Sequence, residues 1–134
     1  MSTLANGSRA PLILLAEDNP ASAEVTQEIL SLLGYRVIVA NDGISSVKLA
    51  HEHLPDLILM DWHMPGMDGL SATRELKLSE STREIPVVSL TAFAMEQDVE
   101  ACLSAGAIDH ITKPVDFDAL PEKLIRYLGP RRVT

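Results

Sequence analysis

Residues 56–69 read DLILMDWHMPGMDG, and the rest of the chain is organised around them. Leu57 to Met60 form a continuous apolar run, the pattern of a strand buried on both faces of a parallel sheet, and the run ends in one carboxylate, Asp61. Asp61 is therefore expected at the C-terminal tip of a strand. His63, Met64, Pro65 and Gly66 make a turn-forming loop, and Asp68 is placed to cap a helix opening with Gly69 and Leu70. Alone, such an acid could serve only to hydrogen-bond its own loop. Its companions elsewhere in the chain decide between that role and chemistry.

Composition limits what those companions can do. A chain of 134 residues is one domain and can bury roughly two thirds of its unfolded surface without a disulfide or a zinc staple. The single cysteine, Cys102, has no partner within the chain, suits a reducing cytoplasm, and reads as core packing rather than a nucleophile. Nineteen acidic residues against eleven basic ones give a net charge of -8, which argues against nucleic acid and anionic membrane and for protein partners. The apolar stretch Ala10 to Ala16 lacks the flanks of a signal peptide, and no stretch approaches membrane-spanning length. The expectation is a soluble cytoplasmic protein; the starting Met and short tails favour a complete chain.

Strands and helices are predicted to alternate along the chain. Residues 1–10 read as a disordered arm, 11–128 as the folded domain and 129–134 as a tail. The first strand is Leu12 to Ala16, broken by Glu17-Asp18-Asn19-Pro20, and the first helix presents Val25, Ile29, Leu32 and Leu33 on one face up to Gly34. Arg36 to Ala40 is the second strand, followed by a helix with Ile44, Val47 and Ala50 inward. After the opening stretch, Leu70, Thr73, Leu76 and Lys77 mark a third helix, and Val87 to Thr91 a fourth strand. Met95, Val99, Cys102 and Leu103 mark the fourth helix, closed by Gly106. Ala107 to Ile111 is the fifth strand, and Phe117, Leu120, Leu124, Tyr127 and Leu128 the last helix.

Five strand-helix units with short connections imply an α/β fold, a doubly wound parallel sheet with five helices on its two faces. For five units the flavodoxin-like order 2-1-3-4-5 is the common solution, with the site outside the C-terminal edge where strands one and three part. That rule brings Glu17, Asp18, Asp61, Thr91 and Lys113 to one edge. Clustered acids repel and raise one another's pKa unless a cation intervenes, and hard oxygen ligands favour Mg2+. A hydroxyl, an ammonium and a divalent ion around one carboxylate would stabilise a phosphoryl group attached to it, with Asp61 as the nucleophile.

The pattern Glu17-Asp18, Asp61 with Met64-Pro65 and Asp68-Gly69, Thr91-Ala92 and Lys113-Pro114 resembles the receiver domain of two-component response regulators, over roughly Pro11 to Leu128. The run SLTAFAMEQD, residues 89–98, most resembles receivers found as single-domain regulators or in hybrid histidine kinases. The resemblance implies that Asp61 accepts a phosphoryl group from the phosphohistidine of a histidine kinase or histidine phosphotransferase. It implies that Asp18, Asp61 and the His63 backbone carbonyl hold Mg2+ with Glu17 assisting, that Lys113 and Thr91 contact the phosphoryl oxygens, and that Lys113-Pro114 is cis. Phosphorylation would shift the face formed by the fourth helix, fifth strand and fifth helix toward a downstream protein target, with the chain a monomer or weak homodimer.

The family couples this shift through an aromatic residue three before the lysine, and that position is His110. An imidazole there implies a weaker or pH-sensitive switch, while the simpler reading makes it a half-buried neutral filler. His63 and Phe93 flank the route of an attacking water, so their bulk predicts slow self-dephosphorylation. As an additional metal ligand, the His63 imidazole would suit zinc better than magnesium. His51 and His53 read as solvated surface. Trp62 is either a contact for the phosphodonor or a loop aromatic covering the rim of the site. Two rival functions stand beside this one. A magnesium phosphatase of the haloacid dehalogenase type would need a second Asp where His63 stands, and a degenerate, phosphorylation-independent interaction module would lack one of the acids, the acceptor or the lysine.

Overall fold

The computed structural model describes residues 10–92 and 95–130. Five strands, β1 (Leu12–Ala16), β2 (Arg36–Ala40), β3 (Leu57–Asp61), β4 (Val87–Thr91) and β5 (Asp109–Thr112), alternate with five helices. The helices are α1 (Pro20–Leu32), α2 (Gly43–His53), α3 (Gly69–Leu78), α4 (Glu96–Ala105) and α5 (Ala119–Leu128). All strand pairs are parallel and the sheet order is β2-β1-β3-β4-β5, as the sequence predicts. No helix among the described residues is long and apolar enough to cross a membrane.

Successive side chains of a strand point to opposite faces, so the apolar runs of β1, β3 and β4 feed two cores. Ile13, Leu15, Leu57, Leu59, Val88 and Leu90 pack under α1 and α5 with Leu30, Leu120 and Leu124. Leu14, Ala16, Ile58, Met60 and Val87 pack under α2 and α3 with Ala50, Ala72 and Leu76. A smaller cluster of Leu70, Cys102, Ala105 and Ala107 seats α4, with Trp62 packed against it.

Most of the expected inward positions hold, with Ile29, Leu33, Val47 and Leu128 packed against the cores and Ala50, Leu70, Thr73, Leu76, Cys102, Leu120 and Leu124 buried, but several large apolar ones face out. In α1 the buried residues are Ala23, Thr26 and Leu30, while Val25 is 50% and Leu32 77% exposed. In α2 Gly43, Ser46 and Ala50 are buried and Ile44 is 65% exposed. At the start of α2 the packing is close enough to require a glycine, since a Cβ on Gly43 would lie 2.1 Å from the Met67 carbonyl oxygen. Met95, the N-cap of α4, and Leu103 within it are exposed, while Cys102 and Ala105 face inward.

Element ends also differ. The fifth strand begins at Asp109 rather than Ala107, because Ala107 N–H donates to the Cys102 carbonyl and completes the cap of α4. The last helix begins at Ala119, leaving Phe117 in the preceding loop, half-buried against the α1/α5 core. Ala10, assigned to the arm by composition, is buried, and Arg36 Nε donates to its carbonyl at 2.8 Å. The remaining arm residues 1–9 and the tail residues 131–134 lie outside the described residues.

Gly106 closes α4 at φ 117°, and a Cβ there would meet Lys77 Cγ at 2.6 Å. Lys77 is itself committed, donating to the Arg83 carbonyl at 3.0 Å and to the Ile85 carbonyl at 2.5 Å. Gly106→Ala therefore forces a left-handed Cβ into the lysine stem and is expected to lower stability by about 1–2 kcal/mol in urea unfolding, with the unfolding slope unchanged.

Candidate functional site

Three helices start at the C-terminal edge of the sheet on short polar caps. Asn19 Oδ1 accepts from Ser22 N–H at 3.0 Å, Asp42 Oδ1 from Ser45 N–H at 2.7 Å and Asp68 Oδ1 from Ser71 N–H at 2.8 Å. The Asp68 cap is the one expected from the sequence. Between these helix starts the strand ends deliver the polar groups. Glu17 N–H donates to the Ala40 carbonyl at 2.9 Å, and Lys113 N–H to the Thr91 carbonyl at 2.7 Å, so each continues strand pairing by one residue into the site. The Lys113-Pro114 peptide is cis, as expected.

Carboxylate oxygens of Glu17, Asp18 and Asp61 lie within 4.8 Å of one another. Glu17 and Asp61 are 3% and 4% exposed, while Asp18 faces solvent. Lys113 Nζ reaches both buried acids, at 2.9 Å from Glu17 Oε1 and 3.2 Å from Asp61 Oδ2. Thr91 is fully buried at the end of β4 beside them. The five residues singled out in the sequence thus meet at one edge.

Burial pushes the Asp61 carboxyl up to about 7, reinforced by the hydrogen bond and charge of Glu17 and opposed by Lys113. Burial also raises Glu17, but the Asp61 hydrogen bond and Lys113 outweigh it and leave that carboxyl below its ordinary value. Without a cation between them, the two buried acids therefore favour retaining a proton over full ionisation of both. A divalent cation would compete with that proton, and an all-oxygen donor set of three carboxylates fits Mg2+ and not a thiolate-seeking metal.

Gly69, expected to open a helix and part of the Asp68-Gly69 pair in the receiver-like pattern, has a sharper role. A Cβ on it would stand 2.0 Å from the Asp61 carbonyl oxygen, and its N–H donates to the Trp62 carbonyl at 2.8 Å. Only a glycine lets α3 begin directly against the backbone that carries Asp61. Such a residue is legible in sequence as a glycine after a capping Asp, though the close approach itself is not.

Trp62 is half-buried and its ring stacks on that of His63, centroids 5.3 Å apart and planes 2° from parallel. The His63 ring is exposed. His51 and His53 are exposed, as expected, with His51 Nδ1 3.2 Å from Ser81 Oγ. Phe93 lies outside the described residues. His110 is partly buried on the edge strand β5, opposite Ser89, so it shares a sheet face with Thr91 two residues on. An anchor missed in the sequence precedes it. Asp109 Oδ2 accepts from Lys123 Nζ at 2.9 Å and Tyr127 Oη at 2.8 Å, with Arg126 Nη1 at 3.7 Å, tying α5 to β5.

An acid whose folded pKa exceeds its unfolded value takes up a proton on folding, so the contribution of Asp61 to stability is greatest below the ordinary value of 3.8 and falls as pH rises through about 7. Asp61→Asn removes that dependence. In metal-free buffer at pH 8 it is expected to stabilise the protein by on the order of 1–2 kcal/mol, a gain that shrinks toward pH 5 and on adding Mg2+. Urea unfolding at the two pH values measures it.

The profile of the response regulator receiver domain matches residues 13–125. The chain is 38% identical over 117 residues to the polar-differentiation response regulator DivK of Brucella ovis, covering 87% of this chain and 95% of that one. It is also similar to the receiver domain of a sensor histidine kinase from Pseudomonas aeruginosa PAO1, crystallised with a magnesium ion in its active site cleft. That match has a TM-score of 0.84 and 43% identity, and covers 90% of this chain and 99% of that one. The signal receiver domain of a signal transduction histidine kinase from Syntrophus aciditrophicus superposes with a TM-score of 0.83 at 38% identity, covering 90% and 91%. Parallel order, acidic cluster and sequence agree, and the chain belongs to the response regulator receiver domain family, the signalling switches of two-component systems.

Proposed function

We propose that Asp61 is the phosphoacceptor of a phosphorelay, taking its phosphoryl group from the phosphohistidine of a histidine kinase or histidine phosphotransferase in the cytoplasm. The observation that carries this reading is the buried Asp61 carboxylate, grouped with Glu17 and Asp18 and held 3.2 Å from Lys113 Nζ. An Asp61 carboxylate oxygen attacks phosphorus, the phosphorus–nitrogen bond to the donor breaks, and the imidazole departs with its electron pair and then takes a proton. The product is an acyl phosphate.

Lys113 and Thr91 contact the phosphoryl oxygens, where an ammonium and a hydroxyl offset the charge spread over them. Mg2+, held by Asp18, Asp61 and the His63 carbonyl with Glu17 assisting, supplies further charge neutralisation there. The bulk of His63 at the rim favours a long-lived acyl phosphate. Output follows as Thr91 is drawn toward the new oxygens and the α4/β5/α5 face around His110 changes its population for a downstream protein, with the chain a monomer or weak homodimer.

Incubation with acetyl phosphate and Mg2+ followed by intact mass measurement is expected to show one phosphoryl adduct. The adduct is lost in Asp61→Asn and on chelation of the metal. Lys113→Ala is expected to slow its formation by roughly a hundredfold, the scale of losing one charge-stabilising donor. Absence of any adduct on the native chain overturns the reading in favour of a phosphorylation-independent interaction module. Amide exchange with and without beryllofluoride tests the output face, which is expected to change protection in α4 and β5.

A further inference from the structure

We propose that the buried hydrogen bond between the Cys102 thiol and the Ser89 hydroxyl is a latch holding α4 on the sheet, and that its release lets α4 open as a unit while the rest of the domain stays folded. The inference rests on the reading given above only in taking α4 as part of the output face.

The seat of α4 is small. Its cluster buries Leu70, Cys102, Ala105 and Ala107, and of these α4 itself supplies only Cys102 and Ala105. Burial stabilises in proportion to apolar area, so a thiol and a methyl group hold a helix less firmly than Leu30, Leu120 and Leu124 hold α1 and α5. The start of α4 adds little. Its N-cap, Met95, makes no side-chain cap bond, whereas Asn19, Asp42 and Asp68 cap α1, α2 and α3. Helix α5 also lacks a side-chain cap, but the Asp109 tie holds it to β5. A helix with so small a seat and no cap belongs to the low end of local stability.

The latch lies at the centre of that seat. Cys102 Sγ is 3.2 Å from Ser89 Oγ, and both side chains are buried. Ser89 is the middle residue of β4, paired in register with Met60 of β3 and His110 of β5, and it shares a sheet face with Thr91 two residues on. A thiol is a weak donor, which makes the bond releasable. Beyond the helix, Ile108 N–H donates to the Val87 carbonyl at 2.9 Å and returns the chain to β4. Gly106, at φ 117°, is the joint between that fixed point and the helix.

Cys102 is the single cysteine of the chain and is 0% exposed, so a thiol reagent reaches it only through an opening. Labelling of the full chain with dithionitrobenzoate in metal-free buffer is expected to run at least roughly tenfold faster than global unfolding in the same buffer and to be insensitive to low urea, as an opening that exposes little surface requires. Ser89→Ala is expected to speed labelling about two- to tenfold, the scale of one hydrogen bond, with amide exchange in α1 and α5 unchanged. Amide exchange in α4 is expected to be slower in Cys102→Ser, which keeps a donor, than in Cys102→Ala, which does not.

Labelling no faster than global unfolding overturns the proposal, as does a Ser89→Ala whose exchange quickens equally in every helix, or a Cys102→Ser no slower than Cys102→Ala. None of these measurements needs a phosphoryl group, so their failure is distinct from the missing acetyl phosphate adduct that overturns the phosphoacceptor reading.

Discussion

Glu17 and Asp61 are buried side by side at the end of a parallel sheet, and buried like charges at such distances persist only when a cation lies between them or a proton is retained. Lys113 meets part of that demand from across the sheet, reaching both acids from the loop after β5. One ammonium cannot balance three carboxylates, so burial and mutual repulsion disfavour full ionisation of Glu17 and Asp61 together.

Much of the surrounding architecture serves this arrangement. Parallel pairing in the order β2-β1-β3-β4-β5 puts the C-terminal ends of β1, β3, β4 and β5 along one edge, with β1 and β3 adjacent where the strand order reverses. Gly69 lets α3 start against the Asp61 carbonyl, and Gly43 lets α2 start against the Met67 carbonyl of the same loop. The β3–α3 loop is therefore clamped by two helix starts where any side chain would push it away.

The two helices flanking His110 are held differently. The fifth is tied to its strand by three basic or phenolic groups converging on one Asp109 oxygen, while the fourth rests on a small apolar cluster that includes the indole next to Asp61. Charge-assisted bonds to a partly buried carboxylate resist displacement more than a few small side chains do.

Strands β1, β3 and β4 are legible in the sequence because a strand buried on both faces must be a continuous apolar run, and the order of five such units then brings Glu17, Asp18, Asp61, Thr91 and Lys113 together. The capping role of Asp68 is equally local. Helix orientation is legible in α3 and α5, whose expected apolar faces are buried or packed on the core, and only in part in α1 and α2, where Ala23, Thr26, Gly43 and Ser46 also face inward while Leu32 and Ile44 face out. The Asp109–Lys123–Tyr127 tie and the packing of Trp62 on α4 join residues 14 to 43 positions apart. The sequence by itself determined which strand ends carry charge. Only the tertiary structure decided which of those charges are buried side by side and which helix packs on the indole beside Asp61, because both depend on burial and on distances of a few Å that no periodicity encodes.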